Sequence, residues 1–263
     1  KNIIFFGGKR PRESSLDYKA FKYLLEKHLK KEIKIIAVYE DDQFNDASLS
    51  VGQLASEYGI KRIFDIDNFL KLSIDMGFSV CNRIIIPDNI IKHARNGIVN
   101  LHLAPLPKYR GRHCCLHAIR NNEKEFGATL HFIDKYIDKG EIIKVRKFAI
   151  SKSMNSSQLL KLTSEEAFEL FIEVVPLLLA GKYKAANKKI NNKNSRYYSL
   201  EFLKKINREV NINWSNKKIL KYCKIFSYLP PYIKIEGKKI YLVEDGRLVK
   251  GSVELEKEVE ESN

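Results

Sequence analysis

Short apolar runs alternate with stretches whose apolar residues recur at helical spacing, and this alternation limits the possible folds more than any other feature. The chain opens with Asn2-Ile3-Ile4-Phe5-Phe6, a nearly continuous apolar run ending at Gly7-Gly8. Such a run predicts a strand buried on both faces that feeds a tight turn. Over residues 16–29, Phe21, Leu24, Leu25 and Leu29 then fall at helical intervals. The pattern repeats: a strand over 34–39, a helix over 51–58, a short strand over 62–64. Asp67 is placed to cap a helix over 68–76, and 80–86 predicts a strand closed by Pro87. A short helix over 88–94 and a strand over 97–101 follow, then strands over 126–133 and 141–148. Residues 156–179 predict a long helix that Gly181 ends. Strands alternating with helices imply an α/β domain on a mostly parallel sheet. Ligands of such sheets gather beyond the carboxyl ends of the strands. That rule points to Gly7-Gly8, to residues 83–87 and to residues 100–111.

After residue 185 the composition shifts. Residues 185–196 are polar and rich in Lys and Asn, which predicts a linker or edge segment. Residues 216–226 predict a helix. Residues 232–235 and 238–242 flank Glu236-Gly237, a two-residue hairpin signal. The expected division is a catalytic domain over 1–185, a small module over 186–246 and a charged tail over 247–263.

At 263 residues with a 44% hydrophobic fraction, the chain is long enough for one full domain and an appendage. No apolar run approaches the roughly 20 residues of a membrane span, and the first residues enter a strand without an apolar leader. A cytoplasmic protein is the expectation. The four cysteines, Cys81, Cys114, Cys115 and Cys223, form no C-x-x-C pair, so a disulfide framework or zinc ribbon is not expected. The net charge of +15 is spread over the chain. It fits a pyrophosphate-bearing ligand or a merely Lys-rich surface as well as a nucleic acid.

Two segments carry chemistry. In Asn100-Leu101-His102-Leu103-Ala104-Pro105-Leu106-Pro107-Lys108-Tyr109-Arg110-Gly111, Asn100 and His102 sit two apart at a strand end. Period-2 geometry turns both to one face. One is a fixed amide that donates to a carbonyl oxygen; the other can move a proton near neutral pH. The second segment is the strand Gly127-Ala128-Thr129-Leu130-His131-Phe132-Ile133, followed by Asp134 and by Ile137-Asp138-Lys139-Gly140-Glu141-Ile142-Ile143. Alone, His102 reads as a structural histidine and Asp138 as a turn residue.

In order, the N-x-H-x-x-x-L-P-K-Y-R-G, G-x-T-x-H and D-x-G-x-I-I motifs resemble those of the folate-dependent formyltransferases, over roughly residues 1–180. The resemblance implies a Rossmann-like catalytic domain with helices on both faces of the sheet. It also implies 10-formyltetrahydrofolate as donor, and Asn100, His102 and Asp138 as the reacting groups. One departure is Ala104-Pro105 ahead of Leu106-Pro107, where the family often has Ser. A neutral amine would attack the formyl carbon, and Asn100 with protonated His102 would stabilise the oxyanion. Asp138 beside the imidazole would favour its charged form and help relay the amine proton; His102 as general base is the other role. No metal is expected. The pterin is expected against Asn82, Arg83, Ile84, Ile85 and Ile86 and the loop carrying Asp134 and Ile137. Plain sheet core is the other reading of Ile84 to Ile86.

The acceptor must be read from the last third. A purine-synthesis transformylase leaves that third without a role, and the tRNA enzyme carries a larger C-terminal β-barrel. The short aromatic module is similar to that of the nucleotide-sugar N-formyltransferases, implying a dTDP-linked amino sugar, with 4-amino-4,6-dideoxyglucose ahead of the 3-amino isomer. Expected substrate contacts are Lys9, Arg10, Lys108, Tyr109, Arg110, Lys221, Tyr222, Phe226 and Tyr232. One of the rings Tyr222, Phe226 and Tyr232 would stack on the base and Lys221 would reach the pyrophosphate, with Lys9 and Arg10 as further phosphate contacts, while Lys108, Tyr109 and Arg110 would touch the sugar or its diphosphate. The alternative for the aromatics is the module's own core or a dimer interface. A homodimer is expected, without a nucleic-acid partner. A methionyl-tRNA formyltransferase-like enzyme and a non-catalytic folate or nucleotide binder are the competing readings.

Overall fold

A computed structural model describes residues 1–8, 15–40, 50–183, 194–211, 213–235, 238–242 and 248–250. In chain order the elements are β1 (Asn2–Gly7), α1 (Leu16–Leu29), β2 (Lys34–Glu40), α2 (Val51–Glu57), β3 (Lys61–Ile63), a 3-10 turn (Ile66–Lys71), β4 (Met76–Val80), α3 (Asp88–His93) and β5 (Ile98–His102). β6 (Tyr109–Gly111), α4 (Cys114–Arg120), β7 (Glu125–Phe132), β8 (Ile142–Ala149) and α5 (Ser156–Leu179) follow. The last are β9 (Arg196–Tyr198), α6 (Leu200–Lys204), α7 (Asn216–Ile225), β10 (Tyr232–Ile235), β11 (Lys238–Leu242) and β12 (Leu248–Lys250).

Seven strands form one sheet in the order β3-β2-β1-β4-β5-β7-β8. The pairs from β3 through β5 are parallel, and β5 pairs with β7 antiparallel. The mostly parallel α/β architecture is therefore as expected. Alternation along β1 shows why both faces are covered. Ile3 and Phe5 enter a core with Phe21 and Leu24 of α1, Val51 and Ala55 of α2, and Leu170 and Phe171 of α5. Ile4 and Phe6 enter a second core with Phe69, Ile90 and Ile91. Each such fully buried side chain contributes about 1.5–3 kcal/mol. Strand order reverses between β1 and β4, where the chain backbones come close. A Cβ on Gly8 would lie 2.3 Å from the Cys81 carbonyl oxygen, so only glycine fits.

The chain divides into two compact units. One comprises residues 1–108, 127–146 and 164–195; the other comprises 109–126, 147–163 and 196–263. The expected boundary at 185 lies outside the described residues. In the second unit, β6 pairs with β9 in parallel, and the rings of Tyr109, Tyr198 and His117 stack in sequence, with centroids 5.4 and 4.0 Å apart. A small core of Val210, Cys223, Ile233 and Leu242 joins α7 to the β10–β11 hairpin. The hairpin turn at Glu236-Gly237 lies outside the described residues, but its flanking strands pair as expected.

Three expectations are corrected. Residues 68–76 are not a helix capped by Asp67. The turn Ile66–Lys71 is capped by Asp65, whose carboxylate accepts from Asp67 N, and Met76 already begins β4. The strand expected over 80–86 instead ends at Val80, where Cys81 turns left-handed at φ 53°. Leu248–Lys250 pairs with β11 as β12 rather than belonging to a tail; residues 251–263 lie outside the description. None of the four cysteines is in a disulfide; three are buried and Cys81 is half-buried. No described helix is long and apolar enough to cross a membrane.

Candidate active site

Register assembles the site. In the antiparallel pairing of β5 with β7, Asn100 stands opposite His131 and His102 opposite Thr129. In the parallel pairing on the other side, Asn100 stands beside Ser79 of β4. All five side chains therefore emerge on one face of three adjacent strands. Ser79 Oγ donates to Asn100 Oδ1 at 3.0 Å, and Asn100 Nδ2 lies 3.1 Å from His131 Nε2. His131 Nδ1 lies 2.8 Å from the Phe132 carbonyl oxygen. His102 is 8% exposed and its ring meets that of His131 edge to face, with centroids 6.2 Å apart.

Asp138 arrives from the loop after β7. Its backbone is left-handed, at φ 50°. Its carboxylate sits between the imidazoles, with Oδ2 3.8 Å from His102 Nδ1 and Oδ1 3.6 Å from His131 Nε2. Gly140 holds this turn. A Cβ there would lie 1.7 Å from the Phe132 carbonyl oxygen, so any side chain forces the loop away. Asp134 shapes the same loop by accepting from Tyr136 N at 2.9 Å, an Asx turn. Burial pushes the His131 pKa down from its ordinary value, against the raising influence of Asp138, which favours the neutral ring.

The loop after β5 is pinned from below. Thr129, fully buried, donates to the Ala104 carbonyl at 2.7 Å and accepts from Leu106 N at 3.0 Å. Those two bonds fix how the chain leaves the sheet two residues after His102, through the cis Leu106-Pro107 peptide.

Beyond β4 the chain leaves the ladder. Asn82 folds onto its own neighbour: its Nδ2 donates to the Ile84 carbonyl and its Oδ1 accepts from Ile84 N. Arg83 and Ile84 are half-buried, Ile85 is 73% exposed, and only Ile86 joins the core. Plain sheet core is thus the wrong reading for Ile84 and Ile85. Ile137 is also exposed, at 42%.

The expected substrate contacts fare unevenly. Lys9 and Arg10 lie outside the described residues. Lys108 and Lys221 are exposed. Arg110 is half-buried, with its guanidinium over the ring of Tyr197. Tyr109 and Phe226 are corrected: each is 1% exposed, so Phe226 offers no face to a base and Tyr109 no surface to a sugar or its diphosphate. The Tyr109 hydroxyl donates to Glu123 and accepts from Asn121. Tyr222 packs on Phe226 and Trp214 and donates to the Asn207 carbonyl; Tyr232 packs edge to face on Tyr241. Phe226 is buried in the module and the half-buried Tyr222 and Tyr232 pack on rings of that same module, in line with the alternative reading of its aromatic content. Ser79 is the residue that sequence reasoning did not single out, and Thr129 and His131 entered only through the G-x-T-x-H motif, without a role of their own. The signal for the latter two was their period-2 spacing, the same spacing that joins Asn100 to His102. Among the described residues, no group of three or more His, Cys, Asp and Glu is placed to hold a metal ion.

Residues 67–175, which hold this whole cluster, match the formyl transferase family model. The match covers part of the chain, and that part resembles a formyl transferase domain. The resemblance drawn from the Asn100, His102 and Asp138 motifs is borne out. The methionyl-tRNA formyltransferase of Syntrophomonas wolfei is 28% identical over 141 residues, covering 54% of this chain and 43% of that protein. The chain spans less than half the length of the curated relatives it matches. Among solved structures, an N-formyltransferase from Helicobacter canadensis in complex with folinic acid and dTDP-3-aminofucose shares the fold. Its TM-score is 0.71 and its identity 24%, over 90% of this chain and 85% of that one. A 4-N formyltransferase from Francisella tularensis gives a TM-score of 0.74 at 21% identity, over 94% and 98%.

Proposed function

We propose that this chain transfers a formyl group from 10-formyltetrahydrofolate to the amine of a dTDP-linked amino-dideoxy sugar. The favoured acceptor is 4-amino-4,6-dideoxyglucose, and the product a formamido sugar for surface polysaccharide. In this reading the enzyme works in the cytoplasm as a homodimer and needs neither a metal nor nucleic acid. The observation that carries the reaction is the convergence of Asn100, His102 and Asp138 from two separate segments onto one strand end.

The donor fits what lies beside them. The backbone of residues 82–86 is off the sheet ladder, and Ile85 presents an apolar side chain at 73% exposure. A flat heterocycle needs both polar backbone groups for its edge and apolar contact for its face. The bound donor supplies an electrophilic formyl carbon whose oxygen gains negative charge as an amine adds. Asn100 donates a side-chain N–H to that charge, and protonated His102 stabilises it from the next position on the same face. One C–N bond forms as another breaks. Protonated His102, with Asp138 beside its Nδ1, gives its proton to the departing nitrogen and is recharged by the proton that the acceptor amine sheds.

Coverage supports the acceptor. The fold of the sugar-enzyme structures runs over nearly the whole of this chain and of themselves, including the short C-terminal module. The second reading, transfer to initiator methionyl-tRNA, draws on those sequence relatives and on the +15 charge. Formyl transfer assayed side by side on dTDP-4-amino and dTDP-3-amino sugars and on charged initiator tRNA separates the two. Turnover with a dTDP sugar is the expected result. Turnover with the tRNA alone reverses the assignment, and no turnover with any acceptor leaves the non-catalytic binder.

A further inference from the structure

We infer that His131 is a positioning residue that fixes which way the Asn100 amide points, with Ser79 as its adaptable counterpart. The inference rests on the formyl-transfer reading for its kinetic consequence, and on hydrogen-bond chemistry alone for its structural content.

A carbonyl oxygen only accepts, so the 2.8 Å contact to Phe132 O requires His131 Nδ1 to carry the hydrogen. In the neutral ring the other nitrogen, Nε2, then offers a lone pair. That lone pair faces the Asn100 amide at 3.1 Å, so the group turned towards it must be the NH2 and not the oxygen. On the opposite side the Ser79 hydroxyl, 3.0 Å from Oδ1, donates. The two partners are not equivalent. A hydroxyl can donate or accept by rotating, so Ser79 would tolerate a flipped amide. His131 would not, because Oδ1 would then confront the Nε2 lone pair. The orientation is therefore chosen by His131. One Asn100 N–H is used on His131, and the second remains for the formyl oxygen. With the amide reversed, an acceptor would face the developing oxyanion and repel it. The charged and titratable groups around the ring are Asp138, with Oδ1 3.6 Å from Nε2, the edge-on His102, and Asp134 further along the loop.

Two measurements test this. Nitrogen-15 NMR of the ligand-free wild type should show His131 neutral at pH 7 with Nδ1 protonated; an Nε2–H tautomer or an imidazolium overturns the inference. This readout does not depend on the reaction. For the kinetics, His131→Leu removes the acceptor, whereas His131→Gln can return a side-chain oxygen to the Nε2 position. His131→Leu should lower kcat by about 10²–10³-fold, the range for losing one oxyanion donor, with KM for both substrates changed less than about threefold. His131→Gln should recover at least about tenfold of that loss. A folded His131→Leu variant with wild-type kcat, or a folded His131→Gln variant as slow as His131→Leu, overturns the inference. Should His131→Leu fail to fold, the tautomer measurement and His131→Gln still decide: near-unchanged KM with measurable kcat supports it, and folded protein without turnover overturns it. A wild type that shows no formyl transfer, yet the Nδ1–H tautomer, would count against the reaction and not against the clamp.

Discussion

At the scale of single residues, the three reacting groups are unequal in how the fold supports them. Asn100 is held from both sides by Ser79 and His131. Asp138 depends on a left-handed backbone and on a glycine two residues later. Replacing Asn100, His102 or Asp138 by Ala is expected to leave circular dichroism unchanged and to lower kcat by about 10²–10⁴-fold, the range for an oxyanion donor or a general acid–base group. Single-turnover rates would check each. A second prediction concerns His117, which is 1% exposed and whose ring nitrogens have no hydrogen-bond partner. Burial first, and then Arg120 and His113 nearby, push its pKa down from 6.5 to about 3. Between those values the unfolded chain binds a proton that the folded chain refuses. Stability from this group is thus full above about pH 6.5 and falls as pH drops through the window, by up to about 1.4 kcal/mol per unit. His117→Phe keeps the stack on Tyr198 and has nothing to titrate. Its urea midpoint is expected to lose less than that of the wild type between pH 7.5 and 5.

At the scale of elements, β7 does more than extend the sheet. Thr129→Val keeps shape but strips the two hydrogen bonds that tether Ala104 and Leu106. The buried carbonyl and amide left behind should cost about 1–3 kcal/mol in a denaturation experiment. Loosening of the loop after His102 should also lower kcat, and unchanged kcat would show that this loop is not part of the machinery. The same strand shows how much could be read in advance. The long helices over 16–29 and 156–179 and the strand ends at Asn100 and His102 were legible, because each announces itself within its own stretch of sequence. The three-residue strands Tyr109–Gly111 and Arg196–Tyr198 were not, since their only signal is pairing across 87 positions. The apolar run at Ile84, Ile85 and Ile86 misled for a similar reason: apolar composition cannot reveal that Cys81 turns the chain out of the sheet. Ser79 looked ordinary, and His131 had a place in a motif but no role, because each acquires its role from Asn100, 21 and 31 residues distant.

At the scale of the whole molecule, late sequence completes early structure. Ser227 Oγ accepts from Ser157 N at 2.8 Å and bonds the side chains of Asn155, Ser156 and Ser157. It thereby caps a helix that begins 71 residues before it. Ser227→Ala is expected to cost about 0.5–2 kcal/mol, as for loss of an N-cap, read as a lowered urea midpoint. The positive charge of the whole chain gives a further test: no tRNA retardation is expected on a native gel at about 100 mM salt, and a salt-dependent shift would favour the RNA substrate. The register of β5 against β7 has one more consequence. What the site needs from β7 is a parity: Thr129 and His131 on one face, Leu130 and Phe132 on the other. Removing one residue from within that strand would exchange the faces and present two apolar side chains to the chemistry. Residues gained or lost in the connecting loops would leave the parity intact. Descendants of this chain can therefore change length in the loops that carry no part of the site, and not within β7.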